Sequence, residues 1–553
     1  MTDVSSYESA PTRTGRGARW LNAGAIAIAV VCLLPMLAVA IAALTGGTDT
    51  IRHLVDTVLG RYAATTAILV VLVSMGCFAL GVGAAWLVTM TRFPGVRLFE
   101  VLLVLPLAFP AYVLAYAYTH ILDHPGVVQT SLRAVMDWGP RDYWFPEIRS
   151  VGGAAAMLIL VLYPYVYLLA RAAFLQQSGA TFLAARALGQ TAYGAFWRVS
   201  LPLARPAIAA GVLLAVMETI ADFGTVAYFG VQTFATGIYT SWFSMGDRAG
   251  AAQLALCLLT FALLLAMLER GQRGRAKYHE SAKPAQPMEP LILKGASRWL
   301  AFGLCAVPVV FGALLPIVVL ISMGLDSEQD LFSRRYQGFI RNSLTLASVA
   351  ALVTLIAAVT VGFFLRLRPG RASRSTAYIA RLGYAVPGGV IAVGLLVPFA
   401  AFDNALDAFM DARFGISTGL LITGSIWLLV AAYMVRFLAA ALGAYEGGQA
   451  MVHNNMDAAA RSLGHGPFAT LRRVHLPILT PSLLTALLIV FVDVMKELPA
   501  TLILRPFNFD TLAVQAYRLA SDERLEGAAV PSLIIVAIGL LPVILICRQV
   551  RRR

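Results

Sequence analysis

The chain has 553 residues, of which 59% are hydrophobic and only 13% charged, and its mean hydropathy is +0.76. A soluble domain would carry about a quarter charged residues, so a soluble enzyme or binding module is excluded and a polytopic helical membrane protein in a lipid bilayer is implied. The net charge of +14 does not point to nucleic acid, because the basic residues sit in short loops beside apolar runs, where they orient membrane proteins.

The first 19 residues are polar and carry Arg13, Arg16 and Arg19. The apolar run after them is too long for the core of a signal peptide and is read as a retained helix. Runs able to cross about 30 Å of hydrocarbon fall at 20–44, 62–90, 97–120, 151–175, 207–230 and 249–269. A second set falls at 299–323, 342–366, 376–402, 416–441, 482–504 and 528–547. The chain therefore divides into a first unit, 1–270 (core 62–270), a hydrophilic linker, 271–298, and a second unit, 299–553 (core 340–548). The linker holds most of the lysines and has no apolar periodicity, which predicts a flexible tether. With both termini inside, the inner segments hold 29 Lys and Arg and the outer segments 13. That imbalance predicts cytoplasmic N- and C-termini. The inner count includes four basic residues between 436 and 481, Arg436 the first of them. The five cysteines lie in apolar runs without a CxxC pair, so they read as small core residues.

The most informative motif occurs twice. Ala184–Pro206 returns 275 residues later as Ala459–Pro481, with 10 of 23 positions identical. The small residues Ala184, Ala185, Ala459 and Ala460, followed by Arg186 and Arg461, open a short helix that Gly189 and Gly464 end. Pro202 and Pro477 are expected near the start of the next span, where proline is tolerated. Further matches, Phe93-Pro94-Gly95 with Arg368-Pro369-Gly370 and Pro110–Val113 with Pro387–Val390, extend the repeat over both units. Six crossings per unit give the two copies one orientation, related by a pseudo-twofold axis along the membrane normal. The predicted fold is all-α: about 12 transmembrane helices in two parallel six-helix repeats.

The spacing of Ala-Ala, four residues to Gly, ten more to Val and then x-Leu-Pro resembles the signature loop of ABC importer permeases with the type I fold. Where that family usually begins with Glu, Leu183 and Ala458 stand here, with Asp457 one residue earlier. The resemblance implies that both loops are coupling helices docking onto an ATPase, with Ala184, Ala185, Arg186, Gly189, Pro202, Ala459, Ala460, Arg461, Gly464 and Pro477 carrying the contact. A plain amphipathic connector is the alternative. The chain contains no GxxxxGK[ST] phosphate cradle. ATP and Mg would therefore sit on two copies of a separate cytoplasmic ABC ATPase, with no cofactor and no catalytic site on this chain, a transport subunit and not an enzyme.

Acidic residues follow each loop in register: Glu218 aligns with Asp493, and Asp222 with Glu497. Spaced i, i+4, each pair would share one face of a continuous helix, and carboxylates at that depth usually face a pathway or a partner. Substrate pathway or gate, structural polar network and proton relay are the three readings, the second because Lys496 lies three residues from Asp493. Glu218–Thr225 with Tyr228-Phe-Gly230, and Lys496–Thr501 with Arg505-Pro506-Phe507, resemble the ferric-iron branch of these permeases. That resemblance implies Fe(III) as transported cargo, delivered by a periplasmic iron-binding protein, and oxygen ligands suit so hard a cation. Thiamine or polyamine permeases are the alternative, with Tyr163-Pro-Tyr165-Val-Tyr167 as aromatic surface for an organic cation. From other classes, a proton-coupled secondary transporter of twelve spans and a membrane receptor also fit the topology. His120, Asp123 and His124 could bind a metal at one helix end, although a solvated helix end is the favoured reading because no second cluster completes the site. The outer segment 122–150, with Trp138 and Trp144, could meet a binding protein or anchor at the interface.

Overall fold

A computed structural model describes residues 16–140, 142–177, 179–275 and 290–551. Among the described residues eleven helices are long and apolar enough to span a membrane, and a twelfth span is broken by a 92° bend. In chain order they are α1 (Trp20–Thr45), α2 (Thr48–Met90), the bent α3 (Val96–Ala108 with Ala111–Met136), α4 (Val151–Gln176), α5 (Ala192–Ala221) and α6 (Arg248–Leu265). The second set is α7 (Ala296–Leu325), α8 (Arg334–Leu367), α9 (Gly388–Phe414), α10 (Ile426–Gln449), α11 (Pro467–Met495) and α12 (Leu525–Ile544). The fold is all-α and polytopic, in two repeats.

Each repeat is built on the same three-helix packing: α2, α4 and α5 in the first, α8, α10 and α11 in the second. Matched prolines bend the third span of each. Phe109 and Val386 precede Pro110 and Pro387 and are both extended (ψ 134° and 121°), as the residue before proline must be to avoid the ring. The run predicted as one helix at 376–402 is therefore two pieces, Arg371–Leu382 and α9.

The first span of each unit packs on the last span of its own unit, α1 on α6 and α7 on α12, and also reaches across to the other unit. α1 packs on α8, α9 and the helix Arg371–Leu382 of the second unit, and α7 reaches α2, α3 and α4 of the first. Small residues make the crossings close, the usual device where lipid removes the hydrophobic drive for helix association. A side chain on Gly394 would lie 2.3 Å from the Pro35 carbonyl oxygen, and one on Gly312 would meet Pro106 and the Leu160 carbonyl. The Tyr118 hydroxyl donates to the Phe311 carbonyl (2.7 Å) beside the second crossing. The two units thus exchange arms.

Residues 276–289 of the linker lie outside the described residues. Its last part is not a free tether: Leu291 and Ile292 form a parallel two-residue ladder with Thr91 and Arg92.

Gly394→Val should lower stability by about 2–3 kcal/mol, because the neighbour it meets is backbone and cannot yield. Gly443→Ala, with nothing within 4 Å of the added carbon, should be neutral. Thermal unfolding of the purified protein in detergent compares the two.

Candidate transport cavity and repeated loops

The two repeated loops have one geometry. The helix Gly179–Ala187 ends at Gly189 (φ 85°), and the helix Asn454–Ser462 ends near Gly464 (φ 77°). In the first loop the Gly189 amide donates to Arg186 O and the Gln190 amide to Ala185 O (3.0 and 3.1 Å). In the second, Gly464 donates to Arg461 O and His465 to Ala460 O (both 3.0 Å). This left-handed closure favours glycine because a Cβ is strained at such φ. Ala185 and Ala460 are buried underneath, whereas Ala184, Arg186, Ala459 and Arg461 are exposed. Leu188 and Leu463 are 83% and 75% exposed, and Tyr193 and Phe468 are 66% and 67% exposed. Two matched apolar patches therefore face outward beside arginines.

After each loop the helix restarts at Ala192 or Pro467, and Pro202 and Pro477 lie in the first turn of the α-helices Leu201–Ala221 and Leu476–Met495 that complete α5 and α11. A wide π turn, Phe196–Ser200 and Leu471–His475, precedes each proline. The looser turn accommodates a ring that would otherwise clash with the preceding turn's carbonyl.

The loops differ in how they are anchored. Asp457 accepts from His475 Nε2 (2.6 Å) and from Arg366 Nε (2.7 Å), and Arg366 also donates to the Val452 carbonyl (2.8 Å). The matching positions in the first copy are Phe182, Ser200 and Thr91, and a small apolar cluster of Phe182, Ala185 and Ala195 takes over.

The acidic pairs do not sit on continuous helices. α5 ends at Ala221 and α11 at Met495, so the i, i+4 same-face expectation is corrected. Asp222 (ψ 128°) turns back to cap the short helix Gly224–Tyr228. Its carboxylate accepts from the Thr225 and Val226 amides (3.2 and 3.1 Å) and the Thr225 hydroxyl (3.0 Å). Glu497 does the same for Pro499–Leu504, accepting from the Ala500 and Thr501 amides (2.9 and 3.1 Å) and the Thr501 hydroxyl (2.9 Å). A carboxylate at a helix N-terminus meets free amides and the positive end of the dipole, which offsets its loss of water.

All four acidic residues nevertheless line one cavity of about 100 Å³ between the units. Arg436 lines it too, from the middle of α10; the inner-loop position given it by counting is corrected, because α10 runs on to Gln449. Its guanidinium reaches Glu497 of its own unit (3.5 Å) and Glu218 of the other (3.9 Å). Gly388 leaves the space for this: a Cβ there would stand 2.2 Å from Arg436 Nη1. Lys496 pairs with Asp493 at 2.9 Å. Four carboxylates face two cations, an excess of negative charge.

A family profile described as the binding-protein-dependent transport system inner membrane component matches residues 77–275 and again residues 350–553. The chain belongs to this family. It is a fused two-unit permease of a binding-protein-dependent ABC importer, which removes the secondary-transporter and receptor readings. The permease is 27% identical, over 95% of its length and 97% of the relative's, to the Fe(3+)-transport system permease protein FbpB 2 of Haemophilus influenzae. It is 23% identical, over 80% of its length and 64% of the relative's, to the ferric transport system permease protein FbpB of Actinobacillus pleuropneumoniae. The molybdenum transport system permease protein ModB of Escherichia coli is 29% identical over 35% of the permease.

Beyond the cavity, aromatic rings from both units close the interface of the permease. Phe223 stacks on Tyr239 (centroids 3.8 Å apart) and lies against Tyr517 of the second unit (5.6 Å). The Tyr239 hydroxyl donates to the Pro499 carbonyl. Phe223 and Tyr239 also wall a second pocket of about 570 Å³, which Glu218 does not line. Sequence reading missed Arg436 and the seal. Of the tyrosine triplet, Tyr163 and Tyr167 are buried donors to the Leu103 and Glu100 carbonyls, and only Tyr165 reaches the cavity. His120, Asp123 and His124 do not converge. Asp123 turns to Arg149 (3.1 Å), and among the described residues no three His, Cys, Asp or Glu side chains are placed to hold a metal. Arg149 also bridges the units through both oxygens of Glu523 (2.7 and 2.8 Å).

Burial pushes the Asp457 carboxyl up, but the hydrogen bonds from His475 and Arg366 outweigh it and leave the group below its ordinary value. A depressed carboxylate stabilises fully above its unfolded value, about 3.9, and loses that contribution as pH falls through the lower folded value. Amide exchange across residues 457–465 should therefore show no loss of protection attributable to Asp457 between pH 8 and pH 5, both above about 3.9. Asp457→Ala should accelerate it throughout, since about 1–3 kcal/mol goes with stranding the buried His475 and Arg366 donors.

Proposed function

We propose that the permease conducts Fe(III) across a bacterial inner membrane, with both termini cytoplasmic. A periplasmic iron-binding protein delivers the cargo, and two copies of a cytoplasmic ABC ATPase, holding ATP and Mg, drive the cycle. The observation that carries this reading is the convergence of Glu218, Asp222, Asp493 and Glu497 on one cavity between the units. Asp222 and Glu497 shape the site through their caps, whereas Glu218 and Asp493 are held only by side chains, Arg436 and Tyr384 on Glu218 and Lys496 on Asp493, contacts that an entering cation would displace. Carboxylate and phenolate oxygens suit a hard trivalent ion.

Arg436 acts as a tethered counter-ion for these carboxylates. Its contacts with Glu218 and Glu497, at 3.9 and 3.5 Å, are long enough to exchange for a mobile cation. ATP binding would draw together the loops at Ala184–Gly189 and Ala459–Gly464, the exposed Leu188, Tyr193, Leu463 and Phe468 sitting against the ATPase. The α5 and α11 helices run from those loops to the caps, so loop movement reaches Phe223, Tyr239 and Tyr517 through continuous helix. Opening that ring seal admits cargo from the periplasmic side.

Size speaks against the thiamine and polyamine alternative. Pockets for small organic ligands occupy roughly 300–1,000 Å³, whereas this cavity holds about 100 Å³, space for an ion with a few waters.

Glu218→Gln with Asp493→Asn should cut uptake of radioactive Fe(III) into proteoliposomes by roughly tenfold or more per assembled permease, a barrier change of about 1.4 kcal/mol or more, with the amount of assembled protein measured alongside because Lys496 loses its partner. Unchanged uptake at limiting iron, or competition by thiamine, counts against the cargo assigned. Gly189→Pro or Gly464→Pro forces a left-handed residue to φ of about −65° and should separate ATP hydrolysis from uptake. Normal coupling in both variants would refute the docking role.

A further inference from the structure

The two loops present the same surface but are held in place by different means. The Asp457–His475–Arg366 network has no counterpart in the first copy, where Phe182, Ser200 and Thr91 occupy the matched positions. Phe182, Ala185 and Ala195 form a buried cluster separate from the main core, and Ala192, Val199 and Leu291 complete its wall. Leu291 comes from the segment that joins the two units.

Its placement is specified by backbone. Thr91 lies opposite Leu291 and Arg92 opposite Ile292, and the Leu293 amide donates to the Arg92 carbonyl (3.1 Å). Thr91 is fully buried and its hydroxyl is tied to the Leu87 carbonyl (2.6 Å), so the receiving strand is anchored to the end of α2. Successive residues of a strand point to opposite sides. Leu291 accordingly turns toward the cluster, while Ile292 is 74% exposed.

We propose that Leu291 is a positioning residue for the first coupling loop. The joining segment is a brace that supplies, from outside the first repeat, the contact that the ionic network supplies within the second. Thr91, where the second copy has Arg366, is the position through which the brace is received. Coupling at the first loop then depends on the segment between the units, and coupling at the second does not. This inference rests on the docking role proposed for the loops.

The test uses the full-length permease in nanodiscs with its co-purifying ATPase and a photo-crosslinking residue at Ala184 or Ala459. Leu291→Asp should lower crosslinking from Ala184 by about fivefold or more, because a carboxylate in an apolar cluster is strongly disfavoured, and leave crosslinking from Ala459 intact. It should also speed amide exchange across residues 182–190 in permease without ATPase. Leu291→Met should restore both, and Ile292→Asp should change neither. Unchanged exchange in Leu291→Asp overturns the brace, as does equal loss of crosslinking at both positions, which would mean general unfolding. If neither position of the unaltered complex crosslinks, the docking role fails, and the exchange measurement still judges the brace.

Discussion

A carboxylate held between membrane helices has to be satisfied without bulk water, and this constraint organises the centre of the molecule. Asp222 and Glu497 meet it by ending their helices. Each turns back onto the amides three and four residues ahead, so the break that frees the amides also supplies the group that binds them. The breaks create the short helices Gly224–Tyr228 and Pro499–Leu504 and set Phe223 and Pro499 at the interface between units. A straight helix through either position would bury the carboxylate without donors and remove the seal.

Around that centre the two repeats match where geometry is shared and diverge where one copy suffices. The loop closures, π turns and acidic caps recur at the same offset. Arg436 does not; Val161 stands at its position in the first unit. A single guanidinium from α10 reaches carboxylates of both units, so a second would add positive charge to a cavity whose proposed cargo is a cation. The loop anchors diverge in the same manner, ionic in the second copy and apolar in the first. The exchanged arms α1 and α7 knit the copies together, which leaves each free to vary in detail.

Much of the architecture was legible in residues alone. Apolar runs gave the span count because hydrocarbon thickness sets helix length, and Gly189 and Gly464 marked loop closures because few other residues tolerate that φ. The acidic residues were found as candidates, yet their arrangement was misread, since an i, i+4 pair looks the same whether the helix continues or breaks. Pro202 and Pro477 fall in the first turn of their α-helices, but the π turns ahead of them leave no strong sequence mark. Arg436 counts with the inner basic residues because the 416–441 run that holds it ends soon after, whereas its helix extends through alanine and glycine to Gln449 and keeps it mid-helix.

Residues alone were enough for the membrane class, the duplication, the repeated loop and the acidic register, all of which depend on local pattern or on comparison of the chain with itself. Only the tertiary structure decided that four carboxylates share one cavity, that Arg436 bridges the units there, that α1 and α7 cross over, and that Leu291 reaches the first loop. These are contacts between residues far apart in the chain, often more than 200 positions, and packing geometry, which no local pattern encodes, selects them.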